Sequence, residues 1–407
     1  MTRDAQLLFL ARAVRMSGYG ALGVILVLYL VAVGLDAGQV GILLALTLAG
    51  DTLISLYLTT HADRIGRRRT LVIGALLMAA AGVVFAGSTG FVVLLVAATL
   101  GVLSPSGNEV GPFLPIEQAA LTEVVPPERR TSIYAWYNLT GSVATALGAL
   151  VAGLVVGALR GAGWSDLDAY RVILLSYAAR GLVLIPIVRM VSPRVEVTPI
   201  DATIGGRLGL HRSRGIVGRL SALFALDAFG GGLIIQSLLA FWFHERFGLQ
   251  VEVLGAIFFA ANILAAVSAL AAARIAARIG LINTMVFTHL PSNVLLMLVP
   301  LMPTVELAIL VLLARFSISQ MDVPTRQSYT MAVVDPDERS AAAGVTGIAR
   351  TTGAALSPLI AAPLFAIPGL AAVPFFLAGG LKIVYDVALW RAFRNRGEPE
   401  DPASSGG

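Results

Sequence analysis

"ADRIGRRRT" (residues 62–70) and "AARIGLINT" (residues 276–284) are two copies of one short motif, 214 positions apart. Each follows one apolar stretch of helical length and leads into another. The same offset carries Gly34, Leu35 and Gly41 onto Gly248, Leu249 and Gly255. A second pair repeats at nearly that distance: "PIEQAALTEVVPPERR" (115–130) against "PTRQSYTMAVVDPDERS" (324–340). Pro115, Gln118, Val124, Val125 and Pro127 meet Pro324, Gln327, Val333, Val334 and Pro336 at an offset of 209, and Glu128 and Arg129 meet Glu338 and Arg339 one residue later. Arg180 and Arg189 fall on Lys382 and Arg391, nine apart in each copy. Self-similarity over half a chain marks a duplicated unit. In membrane proteins, two halves in parallel repeat are a common transporter plan.

The composition places the chain in a bilayer. Hydrophobic residues make up 57% of the 407 and charged residues 13%, against about 25% charged in a soluble domain. Apolar runs recur at roughly the 20-residue length that crosses a hydrocarbon core. We read spans over about 8–34, 39–60, 70–87, 91–122, 131–158, 169–191, 216–243, 251–273, 284–301, 304–332, 340–366 and 371–391. An even count puts both termini on one side. Of the 29 basic residues only Lys382 is not arginine; 17 lie on the side of the termini and only Arg160, Arg171 and Arg246 on the other. The positive-inside rule makes the richer side cytoplasmic. The first span is too long for a signal peptide, so the expected location is the cytoplasmic (inner) membrane, multi-pass.

Several classes of function drop out. With no cysteine, disulfides, zinc–thiolate sites and thiol catalysis are excluded. No serine elbow, phosphate-binding loop or zinc-helix motif occurs. An enzyme, a nucleic-acid binder and a bound cofactor or metal are therefore not expected. The tail from 393, ending "GEPEDPASSGG", reads as disordered.

The loop "HADRIGRRR" (61–69) resembles the signature loop of the major facilitator superfamily, with Asp63, Arg64, Gly66, Arg67 and Arg68 in the family's positions and Thr59 where the family has its leading glycine. Together with the duplication, the resemblance covers nearly the whole chain. It implies an all-α membrane protein of twelve transmembrane helices in two six-helix pseudo-symmetric bundles, both termini cytoplasmic. The bundles would be 1–191 and 216–392, joined by a cytoplasmic linker at 192–215. It further implies that spans one, four, seven and ten line a cavity, and that Asp63 latches the cytoplasmic side. A plain reading of the same loop is a basic segment held at anionic headgroups.

Ionisable residues inside spans are costly and are functional candidates by default. The basic ones are Arg12, Arg15, Arg180, Arg315, Arg326, Arg350 and Lys382; the acidic ones are Asp51, Glu109, Glu117, Asp227, Asp322 and Asp386. Arg315, Ser319, Asp322 and Arg326 are spaced to share one face of a continuous helix. Depth alone suggests the pairs Arg180–Glu109, Lys382–Asp322 (or Lys382–Asp386), Asp227–Arg350 and Arg15–Asp51. The remaining peculiarity is "SPSGNEVGPFLPIEQ" (104–118), where prolines and glycines interrupt span four. Backbone freed at membrane depth survives only if buried in protein or lining a wet cavity. The interruption is expected to aim Asn108 and Glu109 into the cavity, with Glu117 serving the gate.

The sequence thus points to a monomeric secondary active transporter working by alternating access on a small molecule, with protons as the coupling ion. Export of a small amphipathic or cationic compound is the leading expectation, with Glu109 and Asp227 as countercharges. Uptake or exchange of a small organic anion is the alternative, using Arg15, Arg315, Arg326 and Arg350. A metal cation held near Asn108 and Glu109, and a non-transporting sensor, rank lower.

Overall fold

The computed structural model describes residues 1–109, 111–126, 129–196, 212–335 and 338–394, apart from the side chains of Asp63, Thr131 and Ser340. The expected latch at Asp63, most of the linker at 192–215 and the tail beyond Arg394 lie outside the described residues. Within them every regular element is helical: α1 (Arg3–Ala32), α2 (Ala37–Ile65), α3 (Arg67–Gly87), α4 (Phe91–Leu100), α5 (Phe113–Val124), α6 (Arg130–Gly161), α7 (Asp166–Met190), α8 (Arg214–Gly232), α9 (Gln236–Phe247), α10 (Val251–Ile279), α11 (Leu281–Leu298), α12 (Val305–Phe316), α13 (Asp322–Ala332), α14 (Arg339–Leu356), α15 (Pro358–Ala366) and α16 (Val373–Phe393), with single 3-10 turns at Pro193–Val195 and Val299–Leu301.

Ten described helical segments are long and apolar enough to span a membrane. The two expected spans not among them are the fourth and the tenth. Each is split: α4 and α5 flank a break at 101–112, and α12 and α13 flank a break at 317–321. The second break corrects the expectation of a charged stripe along one continuous helix, because Arg315 and Asp322 belong to different helices.

Local chemistry explains the ends. Thr2 caps α1 through the Ala5 N–H, and Asp36 with Gln39 forms a reciprocal capping box at α2, each satisfying helix donors that otherwise have no partner. Both copies of the repeated motif turn on a left-handed glycine, Gly66 at φ +102° and Gly280 at φ +84°. That conformation is strained for a residue with a Cβ, which lets α2 pass into α3, and α10 into α11, without a loop.

The chain divides into two compact units. The first is 1–201 with 235–263 and 358–371; the second is 202–234, 264–357 and 372–407. The division cuts across the boundaries expected at 191 and 216, because α9, the first half of α10 and α15 belong with the N-terminal helices. In the first unit α1 packs on α6 and α7, α3 on α7, α2 on α4, and α9 and α15 lie on α1 and α2. In the second unit α8 sits against α14 and α16, and α11 against α12, α13 and α16.

Glycine sets how closely α1 and α6 approach. A Cβ on Gly20 would lie 1.9 Å from the Thr145 carbonyl oxygen, and one on Gly148 would lie 1.9 Å from that of Ser17. Lipid offers helices no hydrophobic drive to associate, so small residues that let backbones touch supply the contact area. Replacing Gly148 by leucine is therefore expected to cost at least the ~1–3 kcal/mol typical of overpacking. It should lower the melting temperature of the purified protein, whereas Gly161→Ala, at an open position, should not. Equal melting curves for the two variants would contradict this account of α1–α6 packing.

Candidate functional site

In the first unit the interruption of span four is held at nearly every point. Asp51 Oδ1 on α2 accepts the Gly111 N–H at 2.6 Å, and Ser55 Oγ donates to the Gly111 carbonyl at 2.9 Å. Tyr177 on α7 donates to the Val102 carbonyl, and Ser104 Oγ to that of Asn108 at 2.7 Å. The Ser237 N–H at the start of α9 donates to the Pro105 carbonyl at 3.2 Å. Gly107 (φ +71°) and Gly111 (φ +77°) supply the left-handed turns. Backbone polar groups released from a helix are thus met by side chains of α2 and α7 and by a backbone N–H of α9.

The break delivers Glu109 to α1. Arg12 Nη1 lies 2.8 Å from Glu109 Oε2, and Arg15 Nε lies 2.9 Å from Oε1. Arg15 also clasps Glu117 on α5 with both terminal nitrogens, at 2.8 and 2.7 Å. Such fork-to-fork contact is the strong form of a charged hydrogen bond. Tyr137 on α6 donates to Glu117 Oε2. The guanidinium of Arg12 lies 4.3 Å over the Tyr137 ring, and that of Arg15 4.3 Å over Phe113. Arg15 and Glu117 are 0% exposed, so this pair is sealed.

This arrangement corrects two expected pairs. Arg180 does not meet Glu109; it donates to Ser17 Oγ at 3.1 Å and Ser176 Oγ at 2.8 Å. Arg15 does not meet Asp51, which caps the Gly111 peptide instead. Both Glu109 oxygens are engaged by arginines of α1. Asn108 is exposed. Among the described residues no three His, Asp or Glu side chains converge as a metal-holding group.

In the second unit Asp227 on α8 is the hub. Lys382 Nζ on α16 lies 2.6 Å from its Oδ1; Arg326 Nη1 on α13 and Arg350 Nη1 on α14 lie 3.3 and 3.2 Å from its Oδ2. Asp227–Arg350 is thus present as the sequence suggested, whereas Lys382 pairs with Asp227 rather than Asp322 or Asp386. Asp322 binds Arg326 one turn along α13 at 2.7 Å. Asp386 Oδ1 lies 2.8 Å from His289 Nδ1, and its Oδ2 accepts from Asn293 Nδ2 at 3.0 Å, both on α11. Arg315 has no ion pair among the described residues; its Nε has no hydrogen-bond partner and its guanidinium lies 5.0 Å from the Phe316 ring centre.

Sequence reasoning overlooked His289, Asn293 and Tyr137. The only signal for the first two is their spacing of four within an apolar span, which places them on one helical face. It also overlooked Glu196. That carboxylate accepts the Arg67 and Arg68 N–H groups at 2.6 and 3.1 Å, placing negative charge at the N-terminus of α3. Arg67 is buried, donating to the Val195 carbonyl at 3.1 Å, and Arg68 donates to the Arg189 carbonyl at 2.6 Å. Arg64 is exposed. Part of the basic loop is therefore fixed to protein rather than free at the headgroups.

Comparison with known proteins agrees with the architecture. A family model described as Major Facilitator Superfamily matches residues 8–358. An uncharacterized membrane protein of Saccharomyces cerevisiae is 30% identical, over 95% of this chain and 93% of its own. Among solved structures, the nucleoside transporter NupG superposes with a TM-score of 0.78 at 14% identity, covering 96% of this chain and 100% of that one. The human organic anion transporter MFSD10 gives 0.61 at 17%, covering 96% and 100%. At such identities these structures establish the fold alone.

The two clusters differ in how much rests on one carboxylate. Asp227→Asn leaves Lys382, Arg326 and Arg350 without their common anion, a loss of about 3–5 kcal/mol by analogy with other broken buried pairs. Glu109→Gln should cost less, because the Glu109 side chain keeps 13% exposure and Arg15 retains Glu117. Thermal unfolding in detergent measures both; a larger loss for Glu109→Gln would reverse the assignment of the hub.

Proposed function

This chain belongs to the Major Facilitator Superfamily, a multi-pass family of membrane transporters, and we propose that it is a secondary active transporter for a small solute carrying an anionic group. Two pseudo-symmetric six-helix halves, 1–191 and 216–392, are the units of the proposed alternating access, with both termini in the cytoplasm as the arginine distribution favours. The observation that carries the substrate reading is the distribution of unspent charge. Glu109, Glu117, Asp227, Asp322 and Asp386 each already have a cation or a histidine. Arg180 and Arg315 have no carboxylate partner among the described residues. A guanidinium held in protein without a carboxylate suits a carboxylate or phosphate brought by a solute.

The formal charges lean the same way. Arg12, Arg15 and Arg180 balance Asp51, Glu109 and Glu117 in the first unit, whereas Arg315, Arg326, Arg350 and Lys382 exceed Asp227, Asp322 and Asp386 by one in the second. Export of a small amphipathic or cationic compound is a second reading with one observation behind it: Asp51 has a backbone donor but no cation among the described residues. A metal cation finds less support, since both Glu109 oxygens are engaged by arginines.

A thermal-shift screen of the purified full chain against organic mono- and dicarboxylates, organic phosphates and tetraphenylphosphonium separates these readings. A bound solute raises the melting temperature by mass action, about 2.7 kcal/mol at a hundredfold excess over Kd. Stabilisation by an anion, lost in Arg315→Gln, is the expected result. Stabilisation by the phosphonium cation alone, lost in Asp51→Asn, would overturn it in favour of the export reading.

A further inference from the structure

A cavity at the end of α1 farthest from the N-terminus plays no part in the transport reading. It holds about 130 Å³ between the last turn of α1, the start of α7 and the last turns of α9. The 30 residues of α1 rise about 1.5 Å each, so this cavity and the first residue of the chain lie at opposite ends of a helix long enough to cross the bilayer.

One wall of the cavity is apolar, made by Leu28 and Val31 of α1 and Phe241 of α9. The other wall offers acceptors: Asp166 and Tyr170 of α7, and His244 and Glu245 of α9. His244 Nδ1 lies 2.8 Å from the Leu249 carbonyl oxygen. A carbonyl has no proton to give, so the hydrogen sits on Nδ1 and the neutral ring keeps its lone pair on Nε2. Asp166 is answered by Arg160 at 2.7 Å. Glu245 has no cation among the described residues, and the neighbouring Arg246 guanidinium lies 5.4 Å from the Phe247 ring centre instead.

The helix ends add to the negative side. Both α1 and α9 finish at the cavity, and the carbonyls of a last turn carry partial negative charge. The opposite end of a helix, that of α7, begins there, but Ser165 caps it and Asp166 and Asp168 occupy its first turn. Tyr170 supplies the observation that points to a ligand. It is 4% exposed and lines the cavity, and its hydroxyl has no hydrogen-bond partner among the described residues. Buried hydroxyls in proteins are nearly always bonded, so the partner of this one is a group that enters the cavity.

We infer that this cavity binds a short primary alkylammonium, with its cation between Glu245 and Tyr170 and its chain along Leu28, Val31 and Phe241. The three N–H groups of the ammonium match three acceptors: the Glu245 carboxylate, the Tyr170 oxygen and His244 Nε2. The apolar wall favours an alkylammonium over ammonium itself, because it buries the chain. A metal ion fits less well, since no three His, Asp or Glu side chains converge as a metal-holding group among the described residues. An anion would face Glu245 and two helix C-termini. Tyr170 belongs to one copy of the sequence repeat and Glu245 to the other, so a bound amine joins the two copies and stabilises the arrangement in which they meet.

Calorimetric titration of the full chain in lipid nanodiscs with n-butylammonium, against empty nanodiscs, tests the site. Butylammonium should bind saturably. Butanol, butyrate and tetramethylammonium should each bind about tenfold more weakly or less, because they lack the charge, carry the wrong one or have no N–H to donate. Glu245→Gln, at an exposed position, and Tyr170→Phe, which removes only the hydroxyl, should each weaken butylammonium about tenfold. If Tyr170→Phe does not fold, Glu245→Gln carries the test alone. No saturable binding, butanol or tetramethylammonium bound as tightly as butylammonium, or unchanged affinity in Glu245→Gln would overturn the site. Binding lost in Asp51→Asn and kept in Glu245→Gln would overturn it too, by placing the amine at the interruption of span four. The anion screen turns on Arg315, so the two proposals fail separately.

Discussion

Inside a hydrocarbon layer no water stands ready to satisfy a bare N–H, carbonyl or charge, so every polar group at that depth must find its partner in the protein. The architecture follows from how this chain meets that demand. Where the helix of span four stops, α2, α7 and α9 supply hydrogen bonds to the released backbone. Where charges enter, they enter as interlocked sets. Arg15 answers two glutamates while Arg12 shares one of them; Asp227 answers three permanent cations.

Interlocking has a functional consequence. A charge that is fully answered at home is poorly placed to greet a solute, so the residues most prominent in the sequence are the least available for transport. What remains are the members with a partner missing or shared: Arg180 and Arg315, which lack a carboxylate among the described residues, and Arg350, which competes for a crowded one. The glycines belong to the same logic. Gly20 and Gly148 bring α1 and α6 into backbone contact, and that contact puts Tyr137 of α6 within reach of Glu117 and beneath Arg12.

Sequence reading succeeded where one periodicity or one offset sufficed. Apolar runs placed the helices to within a few residues, and the 214-residue offset anticipated equivalent turns at Gly66 and Gly280. The interruption near Pro105–Pro112 was legible because proline and glycine act on the local backbone. Pairing was not legible, because depth along a helix is one coordinate and a contact needs the rotation about the axis as well. Arg180 and Glu109 were matched on depth, yet the break swings Glu109 onto α1. Arg315 and Asp322 were matched on helical spacing, which the turn at 317–321 undoes. His289 escaped notice because a lone histidine in an apolar span carries no motif; only the fold brings Asp386 of α16 against it.

The central claim is that the buried charges of the first unit serve one another, and the pair Arg15 and Glu117 tests it most directly. A double-mutant cycle of Arg15→Met and Glu117→Leu, in a Tyr137→Phe background so that no hydroxyl is orphaned, can be followed by reversible unfolding in mixed micelles. The account predicts that Arg15→Met costs about 3–5 kcal/mol by leaving Glu117 buried without a cation, that Glu117→Leu costs less because Arg15 keeps Glu109, and that the double change costs less than the sum of the two. Additive losses would mean that the two residues act independently, and the claim would fail.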